Sequence, residues 1–136
     1  GEKYLEQTTQ GRKNCDMPSR RYNKKSIMLV VESNYSNAHG TPWVYRYKKM
    51  GSIVGMPVPG TMTSVNWETM QDPTLYFGIP IIGYLTKEGY YLENTQLEPG
   101  ILIDNDPNSV VNGEDKQLEA AVKELLRQID EDKDNW

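Results

Sequence analysis

At 136 residues the chain fits one small domain or a piece of one, since domains run from about 50 to 250 residues. Apolar residues make up 37%, with 9 Tyr, 3 Trp and 1 Phe, below the roughly 45–50% of a globular domain on a count that adds Gly and omits Tyr. Fifteen basic against 19 acidic residues leave −4, one Cys excludes an internal disulfide and one His excludes a His/Cys metal cluster.

No metal or cofactor is therefore expected. No run approaches the roughly 18 apolar residues of a membrane span, and no signal peptide is visible. The chain opens on Gly1 rather than Met, which reads as a processed or engineered start with further chain upstream.

Residues 1–25 are polar and lack sustained periodicity, so they read as a short helix or turn followed by loop. Arg12, Lys13, Arg20, Arg21, Lys24 and Lys25 make this segment basic. That basic stretch is short, is not helically patterned and holds one aromatic, Tyr22, so no nucleic-acid partner is expected. Ser26-Ile27-Met28-Leu29-Val30-Val31 is then a continuous apolar run, the mark of a strand buried on both faces of a parallel sheet. A polar stretch, Glu32 to Gly40, breaks it. Pro42 suits a first helical turn, and Trp43, Val44 and Tyr47 recur at helical spacing up to Gly51.

Ile53-Val54-Gly55-Met56 reads as a second short strand, stopped by Pro57 and Pro59. Residues 61–67 show some alternation, and residues 75–85 form a stronger strand whose Pro80 argues for an edge or a bulge. The turn signal Lys87-Glu88-Gly89 pairs that strand with residues 90–92 as a hairpin. Ile101-Leu102-Ile103 is a further strand. Leu118, Ala121, Val122, Leu125, Leu126 and Ile129 then form one apolar helical stripe, with cap candidates among residues 112–115. Glu119 and Lys123 make a supporting pair, and the helix is expected to end near Ile129. The fold class is α/β, a mixed sheet with flanking helices. The divisions expected are a polar segment at 1–25, a folded unit at 26–130 and a frayed tail at 131–136.

Ser36 sits on the turn between a buried strand and a helix, where a hydroxyl stands clear of the sheet. The amide of Asn37 and the helix N-terminus can face a developing oxyanion there. The G-x-S-x-G spacing is absent, and Ser before a helix is commonly an N-cap. His39, three residues on, is a candidate base that competes with simple exposure and needs an orienting partner. Glu93 follows a strand and is either a site carboxylate or a surface one. Asp104, Asp106 and Asp115 lack calcium-loop spacing, and residues 55–60 lack the Lys-Ser/Thr ending of a phosphate loop.

Several segments in order resemble the tricorn branch of the carboxyl-terminal-processing (tail-specific) serine peptidases. They are Asn34-Tyr35-Ser36-Asn37-Ala38-His39-Gly40-Thr41-Pro42, Lys49 through Pro57, Leu92-Glu93-Asn94 with Leu97-Glu98-Pro99, Asp104-Asn105-Asp106-Pro107, and Gly113 through Ala121. The resemblance covers about residues 26–129. It implies the C-terminal part of a catalytic domain with a ClpP/crotonase-like fold.

On that resemblance Ser36 is the nucleophile and the Asn37 amide an oxyanion donor. Glu93 is the carboxylate of a Ser-His-Ser-Glu tetrad whose His and second Ser lie upstream. Placing the nucleophile at Ala38 instead would make the protein inactive, and the register of Pro42 favours Ser36. Glu98-Pro99-Gly100 departs from the family's Glu-Pro-Asp, and His39 does not align with the family base. The resemblance further implies a peptide or unfolded-protein substrate, a homo-oligomer, and a cytoplasmic location, with the periplasm open. The alternative function is a non-catalytic peptide-binding or assembly module, and a third is an aromatic-rich carbohydrate-binding domain.

Overall fold

The computed structural model describes residues 3, 5–20, 22 and 24–133. An antiparallel hairpin, β1 (Leu5–Thr9) and β2 (Arg12–Met17), occupies the segment expected to be a short helix or turn and loop. Its two-residue connection, Gln10-Gly11, has φ of 51° and 75°, which matches the twist of paired strands. Gln in place of the usual Asn or Asp hides that turn in the sequence. Glu6 lies opposite Asp16, and Lys13 and Lys3 neutralise the pair at 2.8 and 3.1 Å from Asp16 Oδ1. These ammonium groups, Lys13 foremost, hold the Asp16 carboxyl down at about 2.

The centre is a parallel sheet. β3 (Ile27–Val30) leads through α1 (Asn37–Tyr47) to β4 (Ser52–Gly55), which pairs with β3 from Ile27↔Ser52 to Val30↔Gly55. β7 (Ile101–Leu102) joins the other side of β4, giving the order β3-β4-β7. Val30, Tyr45, Ile53, Val58 and Leu97 form the buried cluster, with Met28 and Trp43 packed on it. Burial on both faces of β3, expected from its apolar run, holds for Val30 and fails for Leu29, which is 42% exposed. Val30 faces the buried cluster, and Leu29, the next residue along the strand, points to the opposite face.

β5 (Ser64–Thr69) and β6 (Tyr76–Ile82) form a separate antiparallel pair. The α/β class is as expected, although parallel and antiparallel strands occupy different sheets. Pro80 sits opposite Val65 beside a register irregularity, where its missing donor is tolerated. Residues 75–85 find their main partner in β5, and their expected pairing with 90–92 shrinks to a bridge between Leu85 and Tyr91.

A short helix, α2 (Pro107–Val111), goes beyond the elements read from the sequence. Asp106 caps it, accepting from the amides of Asn108 and Ser109 at 3.1 Å each. Asp115 then caps α3 (Lys116–Lys133) through the Leu118 amide at 2.9 Å. α3 continues four residues beyond Ile129, held by Arg127 ion pairs to Glu124 and Glu131 and by Lys25 to Asp132 at 3.2 Å. Among the described residues the helix's ion pairs centre on Arg127, and the expected Glu119–Lys123 pair is not formed. Residues 131–133 of the expected tail are thus helical, and 134–136 lie outside the described residues.

The apolar stripe of α3 divides. Ala121 is buried and Leu125 half-buried, while Leu118, Val122, Leu126 and Ile129 remain exposed. Polar groups share the inward face: Gln117 Nε2 donates to Ile103 O at 2.9 Å, and Gln128 Nε2 to Ser52 Oγ at 2.9 Å.

Candidate active site

Val31 and the following turn carry the chain from β3 to Ser36, the N-cap position of α1. Ser36 has φ 55° and ψ −117°, and its side chain makes no capping hydrogen bond. The common reason for a serine before a helix is therefore missing. A non-glycine residue in this sparsely populated region stores of order 1–3 kcal/mol of strain. Its carbonyl is used conventionally, accepting from the amides of His39 at 2.8 Å and Gly40 at 3.1 Å. Asn37 opens the helix, where an amide has no intrahelical acceptor.

Asn34 fixes this turn, a role the sequence reading missed. Its Oδ1 accepts from the Val31 amide at 3.3 Å, and its Nδ2 donates to Ala38 O at 3.0 Å. Ala38 O would ordinarily receive the amide of residue 42, but residue 42 is proline. Pro42 is thus the sixth residue of α1, not part of its first turn, and Asn34 supplies the donor that Pro42 lacks. An asparagine eight residues before an in-helix proline was the available signal.

His39 is wholly buried, at 0% exposure, and neither ring nitrogen has a hydrogen-bond partner. It does not hydrogen-bond Ser36 Oγ. Burial pushes the imidazole below its usual value, against the opposing charge of Glu93. Glu93 is half-buried in the loop after Leu92. Its Oε2 accepts from the amides of Met62 at 2.8 Å and Thr63 at 2.6 Å, and these bonds hold the carboxyl below the ordinary carboxylate range. Met62, whose amide donates to Glu93, also packs against Gly40, so the Glu93 cradle lies beside α1. An open groove of about 590 Å³ runs along α1 from Asn37 past Gly40, Thr41 and Val44 towards Met62 and Leu92, and none of its lining residues is charged. Among the described residues no three His, Cys, Asp or Glu side chains gather to hold a metal.

The model of Peptidase family S41 matches residues 1–103. The chain belongs to peptidase family S41. A protein of Sulfurisphaera tokodaii named as a tricorn-like protease C-terminal subunit is 23% identical over 119 residues, 85% of this chain and 14% of its own length. The fold is similar to the crystal structure of the tricorn protease, with TM-score 0.73 and 16% identity over 94% of this chain and 13% of that one. It is also similar to mature CPAF complexed with lactacystin, with TM-score 0.62 and 22% identity over 75% of this chain and 20% of that one. The tricorn-type resemblance read from the sequence holds. The S41 segment in hand spans about one seventh of that relative's length.

Proposed function

We propose that this S41 chain is the nucleophile-bearing part of a tricorn-like serine peptidase. Ser36 Oγ attacks the scissile carbonyl, the Asn37 amide and the α1 N-terminus stabilise the oxyanion, and Glu93 orients the charge relay. The observation that carries this reading is the strained Ser36 backbone combined with a side chain not used as a cap. A structural cap would need neither feature. Buried away from substrate, His39 does not act as the base, so the base is supplied from outside these 136 residues. Peptide substrates would lay apolar side chains in the uncharged groove beside Asn37.

A fluorophosphonate probe tests this in the full-length protein. It should label Ser36 covalently, and Ser36→Ala should abolish the label. An unlabelled protein that still captures peptides would replace catalysis by the binding-module reading.

The same chain is expected to self-associate. It exposes 10446 Å², against roughly 7,200 Å² for a compact monomer of 15.6 kDa by the mass scaling of folded proteins. Leu118, Val122 and Leu126 add an apolar face at about 25 cal/mol per Å² of surface covered. Light scattering of the chain should give a mass rising with concentration, and Leu118→Lys with Leu126→Lys should lower it. A constant monomer mass up to high micromolar concentration would show that this face needs no copy of the chain.

A further inference from the structure

Three segments meet beside the buried His39, at the start of α1. The first turn of α1 holds it from one side, with the His39 amide bonded to Ser36 O. Residues 60–63 form the second, packed on the neighbouring Gly40. Met62 packs so closely that a Cβ at Gly40 would lie 2.7 Å from Met62 Cε. The third is the loop at 92–95, tied to residues 60–63 by Asn94 N to Gly60 O at 2.6 Å and by Glu93 on the Met62 and Thr63 amides. A side chain at Gly60 would meet Thr95 N at 2.1 Å, so the two segments are in backbone contact. Burying an imidazole with both nitrogens unpartnered is unfavourable. The residue nonetheless occupies the junction of the nucleophile turn and the Glu93 cradle.

We propose that His39 is a positioning residue, a buried neutral imidazole that joins the Ser36 turn to Glu93 and loosens that junction on mild acidification. The catalytic consequence rests on the roles given above to Ser36 and Glu93, while the coupling itself does not.

The charges facing the ring are few. Asn37, Ala38, Gly40 and Thr41 on α1, and Gly60, Thr61, Met62 and Thr63 in the second segment, carry no ionisable side chain, and Glu93 in the third segment is the charge that acts on the imidazole. Burial disfavours imidazolium, and Glu93 opposes that, as does a backbone group of Thr95 lying outside hydrogen-bond geometry. With a folded value below the ordinary 6.5, the unfolded chain takes the proton first. Stability is then lost as pH falls from 6.5 towards the folded value. Glu93 acts lower: its contribution is full above the ordinary 4.5 and lost as pH falls through its own lowered value. Acid should therefore loosen the corner in two separate steps.

Nuclear magnetic resonance titration of the 136-residue chain tests this without using the reactivity of Ser36. The His39 Cε1 proton should titrate below pH 6.5, and the Met62 and Thr63 amide nitrogens should shift in two steps, the upper one tracking His39. In His39→Gln the upper step should vanish while the lower remains. In Glu93→Gln, His39 should titrate at still lower pH, because coupling between two sites is reciprocal; this arm stands even if His39→Gln does not fold. Amides that shift in a single step with Glu93, or a His39 titration unmoved by Glu93→Gln, would overturn the proposal. Failure of Ser36 to label in the full-length protein would leave both readouts unchanged, so the two readings fail separately.

Discussion

Ser36→Ala in the full-length protein is expected to lower kcat by about 10⁴-fold or more, the scale of losing a nucleophile that acts as one unit with its base. KM should change little, because the groove beside Asn37 is lined without the Ser36 side chain. Stability should also change little, since Ser36 caps nothing. Ser36→Gly makes the test sharper. It removes the same hydroxyl and also removes the Cβ that makes φ 55° unfavourable. That variant should be as inactive as Ser36→Ala yet more stable than the parent by about 1 kcal/mol. Urea unfolding measures one arm and peptide hydrolysis the other. Full activity in either variant would remove Ser36 from the mechanism. The isolated 136-residue chain should hydrolyse peptides at background rate, because the buried His39 has no access to substrate and the proposed mechanism takes its base from elsewhere.

The strand–turn–helix–strand unit was legible because its physics is local. An uninterrupted apolar run marks β3, Gly51 ends the helical spacing, and Ile53-Val54 resumes a buried strand. Pro42 misled the reading of the helix start, because a proline inside a helix is tolerated only when another donor serves the orphaned carbonyl. That donor is Asn34, across the turn. The β1–β2 hairpin was hidden for a different reason: its cohesion lies in a Lys/Asp/Glu cluster and an unusual Gln-Gly turn rather than in an apolar period.

Candidate site residues divide in the same way. Ser36 and Asn37 are marked by their place between strand and helix. The cradle of Glu93 is built by Met62 and Thr63, about thirty residues away, so its place after a strand left that carboxylate open between site and surface, and the family resemblance alone favoured the site. The burial of His39 is likewise tertiary. A polar context, Asn37-Ala38-His39-Gly40, gives no sign of a wholly buried ring.

Gly55→Ala is expected to be the most destabilising single-methyl change in the parallel sheet. Gly55 ends β4 opposite Val30 with φ 132°, a conformation that side chains rarely adopt. An added Cβ would lie 1.9 Å from Val30 O, a backbone atom that cannot rotate aside. That oxygen also accepts the Met56 amide at 3.0 Å, and Gly55 O accepts the Ile103 amide at 3.0 Å, so all three strands meet at this residue. Strain of roughly 1–3 kcal/mol from φ and a similar overpacking term put the loss at about 3 kcal/mol or more. That is a large share of the roughly 5–15 kcal/mol of a folded domain. Gly113→Ala is the control. Its φ is also positive, at 78°, but nothing lies within 4 Å of the added Cβ, so it should cost only about 1 kcal/mol. The difference in urea midpoint reads the clash with Val30 together with the harsher φ of Gly55. Equal costs at the two glycines would mean that β3 and β4 are not paired in this register, and the Ser36 turn, which β3 leads into, would lose its support.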